Sequence, residues 1–176
     1  MQKNMSDTRS IDIRALLSHE LLAMRNRDQR ARDHLTVKSA FNQPITPEDI
    51  CQGERVDAEN TARMKEIIAQ HGWPGRSLVG EEGATDAFLL VQHADHDTAF
   101  QKACLELLRV AVAIGEAPPY HLAFLTDRIR LAEKRPQVYG TQMVLVDGQY
   151  RFAEIESPEQ VNARRAQVGL NPLADY

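Results

Sequence analysis

The chain is poor in the residues that usually announce a chemistry. It has two cysteines, Cys51 and Cys104, with no CxxC spacing, so neither a disulfide framework nor a zinc knuckle is indicated. Cys104 sits among Ala103, Leu105, Leu107 and Leu108 and reads as a small core residue. There is no GxGxxG, no glycine-rich loop ending in Gly-Lys-Ser/Thr, no GxSxG and no HExxH. Dinucleotide, nucleoside-triphosphate, serine-hydrolase and zincin readings that depend on those signatures therefore have no support. No apolar run approaches the length of a membrane span, and the first ten residues lack an apolar signal core, which predicts a cytoplasmic protein with no membrane partner. Basic residues are not in excess: 21 Lys and Arg against 25 Asp and Glu give a net charge of −4. That balance argues against a sequence-independent grip on nucleic acid, where cations must neutralise phosphates. Arg25, Arg27, Arg30 and Arg32 do cluster, but Asp28 and Asp33 interrupt them, and the run reads as a solvated helix face.

What the chain does have is apolar content, 43% of its 176 residues, enough for one domain with one sizeable core. Ile11, Leu16, Leu17, Leu21 and Leu22, preceded by Ser10 as N-cap, predict an amphipathic helix to about Arg32 after a flexible segment 1–9. Thr46-Pro47-Glu48-Asp49 predicts a short helix inside a long connection. Asp57 is read as the cap of the next helix, whose stripe Met64, Ile67, Ile68, His71 turns His71 toward the core. Gly72 and Pro74 end that helix. Further helices are predicted from about Thr85 to Ala94, from Thr98 to Gly115 with a Thr98/Gln101 capping box, and from Leu122 to before Pro136. Asp147-Gly148 between alternating runs predicts a hairpin over 141–154 with a type I′ turn, Met143 and Leu145 sharing a face with Tyr150 and Phe152. Ser157-Pro158-Glu159-Gln160 opens a last helix, closed by Gly169. The expected architecture over residues 10–176 is mainly α: a single helical domain of five to seven helices with one C-terminal β-hairpin.

Two short segments concentrate the polar chemistry: His71-Gly72-Trp73-Pro74 and Gln92-His93-Ala94-Asp95-His96-Asp97. They put three of the six histidines beside two carboxylates, an amide and the only tryptophan. Helix ends explain part of this, since a histidine in a last turn favours the helix dipole and one aspartate serves as the next N-cap. Three chemistries can use the remainder. In the first, His71 and His93, oriented by Asp95, transfer protons on a small polar substrate, an enzyme reading. In the second, Gln92, Gln101 and Gln142, with Asp97, bind a polar ligand or a partner protein against Trp73 and Tyr139 without catalysis. In the third, His93, His96 and Asp97 hold a divalent metal, although no His pair at i, i+4 strengthens it. No cofactor, substrate or oligomeric state is indicated. Asp127-Arg128 reads as an ion pair rather than a substrate clamp, and Arg164 and Arg165 as solvating the last helix.

The runs HGWPGRSLVGEEGA, LLVQHADHDTAFQ, LTDRIR, RPQVYGTQ and VNARRAQVGLNPL, in that order, resemble an uncharacterised bacterial domain family of unknown function with the hallmark runs HGWP, QHAD and YGTQ. The resemblance covers residues 10–176. It implies no reaction, but nominates by position His71, Trp73 and Pro74, then Gln92, His93, Asp95 and Asp97, then Tyr139, Gly140 and Gln142.

Overall fold

The computed structural model describes residues 5–175, with the side chains of the first helical turns, Ser10 and Ile11 among them, outside the described set. Among the described residues the protein is mainly α, with six α-helices and one two-stranded antiparallel hairpin near the C-terminus. The chain divides into two compact units at the His96/Asp97 junction.

The first unit contains three helices. Helix α1 (Met5–Ala40) starts before Ser10 and runs eight residues past Arg32. Its buried stripe is Leu17, Leu21, Met24 and Asp28, steps of four, three and four, whereas Leu16 and Leu22 of the expected stripe are exposed. That spacing keeps one face toward α2 and α3 and places a carboxylate at its end. Helix α2 (Pro47–His71) is continuous, where the sequence predicted a short helix and a new start at Asp57. Its start is as expected: Thr46 and Asp49 form a reciprocal capping box with Pro47 at the first helical position, satisfying orphan amides at the helix end. Gly53 and Asp57 lie within the helix because a weak helix former in one turn costs only about 1 kcal/mol, which burial of Val56, Met64 and Ile67 offsets. Helix α3 (Arg76–Gln92) begins nine residues before Thr85 and carries a kink at Gly80, φ 75°. Val79, Ala84, Ala87, Phe88, Leu90 and Val91 bury its inner face.

The second unit opens on α4 (Thr98–Ala113), whose N-cap is Asp97: its carboxylate accepts the Phe100 amide at 2.9 Å. Thr98 is the first helical residue, so the expected Thr98/Gln101 capping box does not form, and Gln101 is buried instead. Helix α5 (Tyr120–Ala132) packs on α4 and buries His121, Ala123, Leu125, Asp127 and Ile129. Strands β1 (Met143–Val146) and β2 (Gln149–Phe152) pair with Met143 opposite Phe152 and Leu145 opposite Tyr150. Asp147 and Gly148 both have positive φ, 51° and 75°, as a type I′ turn requires. A 3-10 turn at Pro158–Gln160 leads into α6 (Val161–Gln167). Ser157 does not cap it through its side chain but sits in the left-handed region at φ 46°.

Candidate functional site

The strongest polar constellation in the first unit forms around His93, and its carboxylate comes from the arginine run expected to be solvated. His93 is the C-cap of α3, held by its amide donating to the Leu89 carbonyl. Its ring lies against α1, where Nδ1 is 2.9 Å from both Oδ1 and Oδ2 of Asp28. The Asp28 side chain is 1% exposed and the His93 side chain 11%. Arg32, one turn further along α1, places Nε 3.2 Å and 3.4 Å from the same two oxygens and Nη2 2.8 Å from Asp57 Oδ1 on α2. Gln29 Nε2 adds a donor to Asp28 Oδ2 at 2.8 Å.

This geometry decides which ring nitrogen donates to the carboxylate. Arg32 Nε also lies 3.0 Å from His93 Nδ1, but a guanidinium nitrogen is always a donor. Both nitrogens therefore direct their protons to the carboxylate between them, and Nδ1 carries the hydrogen. Nε2 has no hydrogen-bond partner among the described residues. Burial by itself raises the Asp28 carboxyl. The hydrogen bond and charge of His93, joined by those of Arg32, outweigh it and bring the group down from 3.8 to about 2. Burial pushes the Asp57 carboxyl above its ordinary value; Arg32 opposes that shift and Asp28 adds to it. Asp28, Arg32 and Asp57 also line a 170 Å³ recess between α1 and α2, together with Leu35, Ile50 and Gly53.

The other nominated residues go elsewhere. His71 is exposed, not turned toward the core. It stands fourteen residues beyond Asp57 on α2, roughly 21 Å of helix rise at 1.5 Å per residue. It does not share a site with His93. Trp73, half-buried just past His71, has an indole Nε1 that is buried without an acceptor among the described residues. Asp95 and His96 are exposed and Gln92 is half-buried; the carboxylate that holds His93 is Asp28, not Asp95. Asp97 is the α4 cap in the second unit. Among the described residues no group of three or more His, Cys, Asp or Glu side chains is gathered to hold a metal ion.

Tyr139 and Gln142 belong to a backbone clamp in the second unit. The buried Asp127 carboxylate accepts from the amides of Val138 (2.6 Å), Tyr139 (3.1 Å) and Thr141 (3.0 Å) and from the Thr141 hydroxyl (3.0 Å). The same segment presents its carbonyls to the fully buried Arg165, whose Nη1 donates to Tyr139 O at 2.8 Å and Gly140 O at 3.2 Å. Arg164 Nε donates to Val138 O at 2.7 Å. Arg164 and Arg165 thus bind backbone rather than solvate a helix. Asp127 likewise spends its carboxylate on amides. Gln137 adds three bonds: its Nε2 donates to the Gln142 and Ala153 carbonyls, and its Oε1 accepts the Gln142 amide. Gly140 is required at φ 65°, because a Cβ there would lie 2.9 Å from Leu173 and 3.0 Å from Ile155.

These two units define a mainly helical protein with a partly open His/Asp pair in one and a buried backbone clamp in the other. The chain belongs to DUF6624, a family of unknown function, whose model matches residues 15–176. No curated protein and no solved structure matches the chain. Among the described residues no helix is long and apolar enough to cross a membrane.

Proposed function

We propose that the protein is a small enzyme that uses His93 as a general base and acid on a small polar substrate, with Asp28 as the residue that orients and stabilises it. The observation that carries this reading is the 2.9 Å contact of His93 Nδ1 with both oxygens of the buried Asp28, which leaves Nε2 unbonded. A neutral imidazole held this way takes a proton at Nε2, the carboxylate stabilises the resulting imidazolium, and the proton is then returned to the leaving or accepting atom. Arg32 and Asp57 keep the carboxylate in place and supply polar walls to the adjoining recess. His71, Asp95, Trp73, Tyr139 and Gln142 take no part in this version of the site. Two free cysteines, Cys51 exposed and Cys104 buried, fit a reducing cytoplasmic setting.

The test pairs tautomer with turnover. Nitrogen-15 correlation spectra at neutral pH should report His93 with Nδ1 protonated and Nε2 bare. Hydrolysis, isomerisation or elimination found in a panel of small polar compounds should fall by about 100-fold or more in His93→Gln and Asp28→Asn, the usual worth of a general base. Turnover that survives His93→Gln, or a proton found on Nε2, sinks the reading.

A second reading rests on a separate observation: the Asp28, Arg32, Asp57 and His93 bonds tie α1, α2 and α3 together. In that reading the network is a lock in a non-catalytic ligand-binding or interaction domain. His93→Gln then lowers stability and leaves every small-molecule conversion unchanged.

A further inference from the structure

The arginine run of α1 is divided by function. Arg25 Nε is bound to the buried Asp86 at 3.0 Å, and Arg32 to Asp57 and Asp28. Arg27 and Arg30 make no hydrogen bond or ion pair among the described residues. With His34 they lie at i, i+3 and i+7, one stripe of the helix, and all three line a 410 Å³ groove against α2 that also admits the Gln52 side chain. The acid in this groove, Asp49, is already spent. Its carboxylate is bonded by Lys38, by the Thr46 amide and hydroxyl, and by His34 Nε2 at 2.8 Å. Those donors, Lys38 first, hold it well below the usual carboxylate range. Lys38 offsets the charge of Asp49, and Arg27 feels only the more distant Glu20, which Arg63 already bonds, so the groove keeps a net positive charge from Arg27 and Arg30.

We propose that this groove binds a phosphate-bearing small molecule. Two guanidinium forks one turn apart, with the Gln52 amide on the facing helix, offer donors from different directions. That arrangement suits a tetrahedral dianion with three free oxygens better than a planar carboxylate with two, and the positive charge left in the groove favours it. The cavity has room for more than the phosphoryl group itself, so the ligand is a phosphomonoester of a small organic alcohol. The proposal is independent of His93. Asp28, Arg32 and Asp57 are absent from the groove lining, and only Ala31 is shared with the recess beside them.

Calorimetric titration of the full chain with glycerol phosphate, inorganic phosphate and acetate at constant ionic strength tests it. Expected are saturable one-to-one binding of glycerol phosphate, weaker binding of inorganic phosphate and at least tenfold weaker binding of acetate. Arg27→Gln and Arg30→Gln should each weaken glycerol phosphate at least tenfold, with unchanged circular dichroism because both residues are exposed. Arg109→Gln, on α4 in the second unit, should bind as the parent does. No saturable binding, equal binding of acetate, or equal weakening by Arg109→Gln overturns the proposal.

Discussion

Asp28 and Asp127 are both buried aspartates, one in each unit, 1% and 0% exposed, and they are neutralised in different ways. Asp127 is surrounded by backbone amides and one hydroxyl, donors with no charge to give up and no proton to move at neutral pH. Asp28 is surrounded by a histidine and an arginine, and the histidine keeps one nitrogen unbonded. The first arrangement can only fix a chain segment. The second can store and release a proton. Segments of similar prominence in the sequence, Tyr139 to Gln142 and Gln92 to Asp97, therefore divide into architecture and candidate chemistry.

The comparison breaks most readily at Asp127. Replacing it with alanine leaves three amides and a hydroxyl in the interior without their acceptor, at roughly 1 kcal/mol or more each. We expect Asp127→Ala to cost about 4 kcal/mol in urea unfolding, with hydrogen exchange at residues 138–141 accelerated first. A loss below about 1 kcal/mol means that the clamp does not hold the segment.

Acid sharpens it next. Burial brings the His121 imidazole in the second unit from 6.5 down to about 4. Because the unfolded chain takes up that proton first, the stability tied to neutral His121 is complete above pH 6.5 and is lost as pH falls through about 4. Its size is about 3 kcal/mol, and His121→Gln should flatten that part of the stability curve. Asp28, lowered from 3.8 to about 2, acts later. Its contribution, about 2 kcal/mol, is complete above pH 3.8 and is lost as pH falls through about 2. Asp28→Asn removes that lower limb alone. The second unit should thus weaken before the first on acidification. Trp73, the only tryptophan, reports the first unit, and Tyr120, Tyr139 and Tyr150 report the second. A tryptophan signal that moves before the tyrosines contradicts this order.

The hairpin was legible because Asp147-Gly148 and the alternation around it are local signals, and local signals also gave the start of α2 at Thr46 and its end at Gly72. Continuity of α2 through Gly53 and Asp57 was not, since tertiary burial on either side overrides two weak helix formers. Asp28 was hidden for a different reason. Among arginines an aspartate looks solvated, yet its spacing from Leu17, Leu21 and Met24 continues the buried stripe, and that spacing was the available signal. The Asp127 clamp pairs groups from 11 to 14 residues apart through backbone amides, and amides leave no trace in residue type. Arg165 is hidden likewise: charge predicts exposure unless carbonyls are waiting for it.

The smallest expected effect separates the two histidines that the sequence treats alike. Both end a helix and both sit in a polar segment. His71 is exposed at the end of α2, where its contribution is a favourable charge near the helix carbonyls when protonated, a few tenths of a kcal/mol at a solvated site. His71→Ala should change stability by less than about 0.5 kcal/mol and leave turnover intact. His93→Ala removes a donor from a buried carboxylate and should cost about 2 kcal/mol at neutral pH. A small effect at His71 together with a large one at His93 means that helix capping accounts for the first histidine and not for the second. Equal effects would return both to the role of helix ends and remove the case for a His93 held by Asp28 for proton transfer.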